Sequence, residues 1–181
     1  QLHGPTTVMR NEVLEVFKPL YRSGYFEADA DLCCRLMDRH KATNCEELLY
    51  YYRVVAGSMS RQNLTPVFLN SYKIIFWLYE QRKNLGADVL QTGEIGKLED
   101  FIQSIEQTYT PDSLQRHIAF YHLYWRLTSL AVKHAFLAVL TSPFRIKNYF
   151  ALSYIILRIG LFSLNRAVKK RHYKTCLNTP S

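Results

Sequence analysis

After Asp112 the sequence contains no aspartate or glutamate at all. The sixty-nine residues from Ser113 carry eleven Lys and Arg, whereas the first 112 carry twelve against fifteen acids. A cationic block of this kind is either a surface for phosphate-bearing partners or a basic face that is simply solvated. Glycine and proline are sparse, at seven and six, which excludes collagen-like and low-complexity classes. Cys33, Cys34, Cys45 and Cys176 form no C-x-x-C pair. No zinc set is therefore visible, and reduced thiols in a cytoplasmic protein are the simplest expectation. No apolar run reaches the roughly 20 residues of a bilayer span. Residues 150–164 come nearest, at fifteen residues with Arg158 among them. No glycine-rich phosphate loop is present.

What the chain does have is enough apolar material to fold. Its 181 residues are 48% hydrophobic and 21% charged, with 14% aromatic, which rules out disorder over most of the length. Residues 6–9 are β-prone. Asn11 is placed to cap a short helix through Phe17. Residues 19–30 read as a loop, and Asp31 as the N-cap of an amphipathic run to His40. The aromatic and β-branched stretch 48–55 predicts a strand. Beyond residue 60 everything predicts helix. One opens at Pro66 and runs to about Asn84; one spans Glu94 to Tyr109 and stops at Pro111. A long helix over 112–140 follows, with Asp112 as its cap and an apolar stripe through Leu114, Ile118, Tyr121, Trp125, Val132, Phe136 and Val139. A last helix starts at Pro143 and ends near Lys174. The expected architecture is mostly α, with a small β remnant in residues 1–61 and a helical bundle over 62–181. Trp77, Phe120, Trp125 and Phe136 are its expected buried aromatics.

Two segments carry candidate chemistry. Glu27, Asp29 and Asp31 alternate, so an extended segment would present all three on one side, where they could bind a divalent cation or supply a general base. Arg53, Ser58, Ser60 and Arg61 form a basic, hydroxyl-rich cluster suited to a diphosphate. The competing reading is structural: the acids cap a helix and the neighbouring tyrosines pack a core.

Three segments, in order, have a further significance. They are Met9-Arg10-Asn11-Glu12-Val13-Leu14, then Ala28-Asp29-Ala30-Asp31-Leu32-Cys33-Cys34-Arg35-Leu36, then Leu49-Tyr50-Tyr51-Tyr52-Arg53 followed by Ala56-Gly57-Ser58-Met59-Ser60-Arg61. The stretch from Gly4 to Arg61 resembles the carboxyl-terminal part of the catalytic domain of family 2 inverting glycosyltransferases, which have the GT-A fold. The resemblance implies transfer of a sugar from a nucleotide-sugar donor to a glycan or lipid-linked acceptor hydroxyl, in cell-surface polysaccharide or glycan synthesis. It assigns the general base to Asp29, with Glu27 and Asp31 as supporting acids, and puts Arg53, Ser58, Ser60 and Arg61 at the donor diphosphate. Ala28 replaces the first acid of the family's acidic pair, and Val55 stands where many relatives carry His. The Gln-x-x-Arg-Trp motif of processive synthases is absent. The family's nucleotide-binding half, with its Asp-x-Asp motif, is not among these residues. The expectation is therefore a carboxyl-terminal fragment, inactive alone, with Mg or Mn bound only in the presence of that half.

The tail suggests a place of work. The apolar segment 150–164 is flanked by Arg145 and Lys147 before it and by Lys169, Lys170 and Arg171 after it. That pattern fits a helix lying in the headgroup plane of an anionic membrane, on the inner face of the cell membrane. A buried core helix with a basic end is the alternative. A non-catalytic helical docking module is the alternative for the whole chain. No nucleic-acid recognition motif accompanies the basic block, so nucleic acid is not the expected partner.

Overall fold

The computed structural model describes residues 8–17, 19, 21–22, 28–43, 47, 51, 53–55, 57–58, 61 and 64–177, with the side chains of 14, 16, 28 and 165–177 left aside. The described residues are mostly helical, and none of them lies in a strand. The helices are α1 (Asn11–Val16), α2 (Ala28–Met37), α3 (Pro66–Leu69), α4 (Ser71–Leu85), α5 (Val89–Thr92), α6 (Ile95–Gln107), α7 (Pro111–Tyr124), α8 (Thr128–Thr141) and α9 (Ile146–Leu177). They fall into two compact units, Gln1–Tyr109 and Thr110–Ser181. The helices over 66–107 thus belong with the acidic loop and not with the basic tail.

In the first unit, local side-chain chemistry sets the helix ends. Thr65 Oγ1 accepts the Phe68 N–H at 3.1 Å, and Pro66 occupies the first turn of α3, where its missing N–H costs nothing. The helix expected to run unbroken from Pro66 is interrupted at Asn70. Its amide donates to the Pro66 carbonyl at 2.8 Å and to the Tyr109 hydroxyl at 2.6 Å, which holds the backbone out of helical geometry between α3 and α4. Gly86 ends α4 at φ 82°, a left-handed position that disfavours any residue with a Cβ. Asp88 then caps α5 reciprocally with Gln91. Ile74, Ile75 and Leu78 of α4 bury against Leu98, Ile102 and Ile105 of α6, with Val89 between. The spacings i, i+4 and i+7 on α6 are those of one helical face. Ala30 and Cys34 of α2 pack on this cluster. A smaller one joins Phe17 to Leu32 and Leu36.

The second unit corrects the expected single helix over 112–140. The chain reverses at Trp125–Leu127, with Arg126 at φ 59°. The Arg126 N–H reaches the Leu123 carbonyl at 3.0 Å and the Leu127 N–H the His122 carbonyl at 2.9 Å, so the end of α7 is closed by a left-handed turn. No glycine or proline marks the site. Folding back lets Ala119 of α7 meet Ala131 and Ala135 of α8, and Ile155 of α9 completes the seam. Small residues bring the backbones close and leave large rings outside. Phe120 and Phe136 are accordingly 40% and 51% exposed, and Trp77 and Trp125 are only half-buried, contrary to the expected buried set. The cap of α7 is Thr110, not Asp112: the Thr110 N–H donates to Ser113 Oγ at 2.9 Å, and Pro111 and Asp112 are already in the helix.

Of the other expectations, helix α9 begins at Ile146, three residues after Pro143, and runs to Leu177, three residues beyond Lys174. Helix α2 starts at Ala28, so Asp31 is inside its first turn and does not precede it. Tyr51 and residues 53–55 belong to no regular element. The rest of the expected strand, with the start of the β-prone stretch, lies outside the described residues.

Candidate functional site

The acidic loop leads directly into α2. Asp29 is in the first turn and half-buried. Its Oδ1 accepts the Ala30 N–H at 2.9 Å. Among the described residues it has no arginine partner. Asp31, two residues on, has the opposite fate. A helix rotates 200° over two residues, so Asp31 faces inward and is 1% exposed. Arg22 grips it with two bonds, Nε–Oδ2 at 3.0 Å and Nη2–Oδ1 at 2.7 Å. Arg35, one turn later on α2, adds Nε–Oδ2 at 3.0 Å. The alternate-residue geometry expected for an extended segment is therefore absent at this pair. Glu27 lies outside the described residues.

The same arginine ties α2 to the cap of α5. Arg22 Nη1 donates to both carboxylate oxygens of Asp88 at 2.9 Å. Arg82 Nη1 reaches Asp88 Oδ2 at 2.8 Å, and Arg82 Nε reaches Asp38 at 2.6 Å. Three arginines and three aspartates thus form one network of opposite charges, buried except at Asp38, which lies at its exposed edge. Burial acts against the Arg82 charge, but the hydrogen bonds it donates to Asp88 and Asp38, with the attraction of their charges, outweigh it and its pKa is raised. For Arg35 burial dominates over attraction to Asp31, with Arg22 and Arg82 adding repulsion, and the pKa is lowered. Burial likewise raises the Cys34 thiol above its usual value, against the opposing charge of Arg82. Sequence reasoning missed Arg22, Arg82 and Asp88. The Asp31–Arg35 spacing of four and the Gly86-x-Asp88 cap were legible signals, whereas nothing marked Arg22.

At the expected diphosphate cluster, Arg61 and Ser58 meet: Arg61 Nη1 donates to Ser58 Oγ at 2.6 Å. Arg61 is buried and Arg53 is exposed. Ser60 lies outside the described residues. No hydrogen bond or ion pair among the described residues links Asp29 to Arg53. A shallow hollow of about 370 Å³ on α4 and α6, walled by Tyr72, Phe76, Trp77 and Phe101, contains none of the expected site residues.

The second unit has its own buried polar group. Asp112 accepts from Thr110 Oγ1 at 2.8 Å and Arg116 Nη1 at 2.6 Å, with Arg145 at 3.5 Å. Burial opposes its ionisation, but these hydrogen bonds and charges prevail and its pKa is lowered. Arg116 also donates to Asn148 Oδ1, and Asn148 Nδ2 donates to the carbonyls of Ala138 at 2.8 Å and Ser142 at 3.0 Å, closing the end of α8. His134 Nδ1 is 2.7 Å from Gln115 Oε1. Burial, helped by Lys133, lowers its pKa. Of the expected membrane-facing cations, Arg145 and Lys147 are exposed. Lys169, Lys170 and Arg171 lie on α9, with side chains outside the described set.

Among the described residues no group of three His, Cys, Asp or Glu is arranged to hold a metal. Asp31 is unsuited to a divalent cation, since two guanidiniums already occupy its oxygens. No helix of the described residues is long and apolar enough to cross a membrane. Comparison with protein-family models, curated proteins and solved structures finds no match for this chain.

Proposed function

We propose that this chain is the acceptor-side part of an inverting glycosyltransferase that moves a sugar from a nucleotide-sugar donor to an acceptor hydroxyl in glycan synthesis. The observation that carries the reading is the contrast within the acidic loop. Asp31 is locked between arginines, while Asp29, half-exposed in the first turn of α2, keeps a carboxylate oxygen for an incoming hydroxyl. In the proposed step the acceptor oxygen attacks the anomeric carbon and Asp29 takes its proton. The bond from that carbon to the diphosphate breaks, and the nucleoside diphosphate leaves with the electron pair. Arg53 and the Ser58–Arg61 turn stabilise the charge on the leaving group. A divalent cation and the nucleotide base would be held by residues outside these 181, and no step here depends on the cation.

The test is transfer by the complete gene product. Asp29→Asn removes a general base, whose usual worth is roughly 10²–10⁴-fold in rate, while donor affinity stays unchanged. Arg53→Ala weakens donor binding instead. Near-normal turnover of Asp29→Asn would refute the assignment. It would leave the non-catalytic docking module, which Ala28 and Val55, in place of the family's acid and histidine, favour.

A further inference from the structure

We propose that the outward face of α9 seats on an anionic lipid surface. One consequence, a lipid-linked acceptor, rests on the transferase reading; the docking itself does not. Helix α9 is apolar on two opposite sides. One side, Ala151 and Ile155 with the hydrogen-bonded Asn148 at its start, is buried within the second unit. At 100° per residue, Ile146, Phe150, Leu157, Leu161 and Leu164 fall within a 60° sector on the other side. These five, with Phe144 just before the helix, are between 45% and 100% exposed. At 1.5 Å per residue the stripe is about 27 Å long. A continuous exposed apolar surface of this kind marks an interaction site and not ordinary scatter.

Charge selects the occupant. The unit Thr110–Ser181 carries eleven Lys and Arg and one acid, Asp112. That acid is 1% exposed and held by Arg116, so it offers nothing to a basic partner. A second copy would bring the same net positive charge and be repelled. A leaflet of anionic lipid supplies the apolar layer and the opposite charge together. Arg145 and Lys147 are exposed where the stripe begins. Arg158 lies along its flank with its guanidinium 5.2 Å from the Phe162 ring, a position from which a long side chain keeps its charge in water above buried stems. The stripe is mainly aliphatic, whereas single-stranded nucleic acid asks for aromatic stacking platforms. No described helix is long and apolar enough to cross the bilayer, so α9 lies on the surface and does not span.

The experiment is sedimentation of the full chain with vesicles of phosphatidylglycerol and phosphatidylcholine, and of phosphatidylcholine alone. Binding to the anionic vesicles only, weakened by salt, is the expected result. Each basic residue near such a surface is worth about fivefold in partition, so Lys147→Glu, at an exposed cation where the stripe begins, lowers binding by about fivefold or more. Leu157→Asp, on the exposed side and so without effect on the helical circular dichroism, lowers it by about tenfold or more by removing apolar insertion. Failure to bind either vesicle at low salt would overturn the proposal, as would equal, salt-independent binding to both. Light scattering that shows a dimer lost in Leu157→Asp, without vesicle binding, would assign the face to a second copy. Retention on single-stranded RNA without vesicle binding would assign the charge to nucleic acid. Transfer to a water-soluble acceptor by the complete gene product, assayed beside its vesicle binding, separates the two readings. Asp29-dependent transfer without vesicle binding sinks this proposal alone, and vesicle binding without transfer sinks only the transferase.

Discussion

Asp88 is the most consequential single charge in the first unit, and Asp88→Asn tests the buried network directly. The carboxylate is 0% exposed and faces two guanidiniums, Arg22 at 8% and Arg82 at 9%. It also caps α5 by accepting the Leu90 and Gln91 N–H groups at 3.1 Å. Asparagine caps about as well as aspartate, so the substitution keeps the cap and removes the charge. Arg82 Nη2 already has no partner among the described residues, which leaves that guanidinium little alternative. Removing one partner of a buried ion pair costs about 3–5 kcal/mol, because the other charge stays buried. Asp88→Ala adds about 1 kcal/mol for the lost cap. Small domains have only about 5–15 kcal/mol in total, so either variant should be visibly weakened. Urea unfolding followed by Trp77 fluorescence, in a Trp125→Phe background, reports on this unit alone. With a urea slope of about 2 kcal/mol/M, the Asp88→Asn midpoint falls by about 2 M. Asp38→Asn, at a carboxylate 22% exposed with one arginine contact, should fall by far less. Equal, small shifts in Asp88→Asn and Asp38→Asn would show that the network contributes little and that Arg22 does not anchor α2 through Asp31 and Asp88.

Two further predictions concern the second unit, both read by Trp125 fluorescence in a Trp77→Phe background. The depressed pKa of Asp112 means that the unfolded chain binds its proton first. Its stabilising contribution is therefore complete above the ordinary value of 3.8 and is lost as pH falls through the lower folded value. Urea midpoints should be level above pH 3.8 as far as this group is concerned and drop below it, and Asp112→Asn should remove that drop; an unchanged acid profile would count against the assignment. Asn148→Ala strips the last turn of α8 of two donated hydrogen bonds and Arg116 of an acceptor, at about 2–4 kcal/mol for buried groups left unsatisfied. A midpoint within experimental error of the parent would refute that role.

The sequence by itself determined the elements whose boundaries depend on neighbours in the chain. Glu94 and Pro111 bracket α6, Pro66 opens α3, and the charge-interrupted segment 150–164 is too short to span a bilayer. Each is a matter of local backbone chemistry or length, and each is legible without a partner. The mostly helical class follows from the same signals. Tertiary structure decided the rest. Helical periodicity over 112–140 is compatible with one long rod or a hairpin, and only the packing of Ala119 on Ala131 and Ala135 selects the left-handed turn at Arg126. The acidic loop shows three similar carboxylates in sequence. The described pair diverges because Arg22 reaches Asp31 and also Asp88, sixty-six residues away from it in sequence, whereas Asp29 accepts the Ala30 N–H and has no arginine partner among the described residues. Which charge is buried and which stays accessible depends on the distant group that satisfies it, since a buried ion is tolerated only where another brings the opposite charge within hydrogen-bond reach.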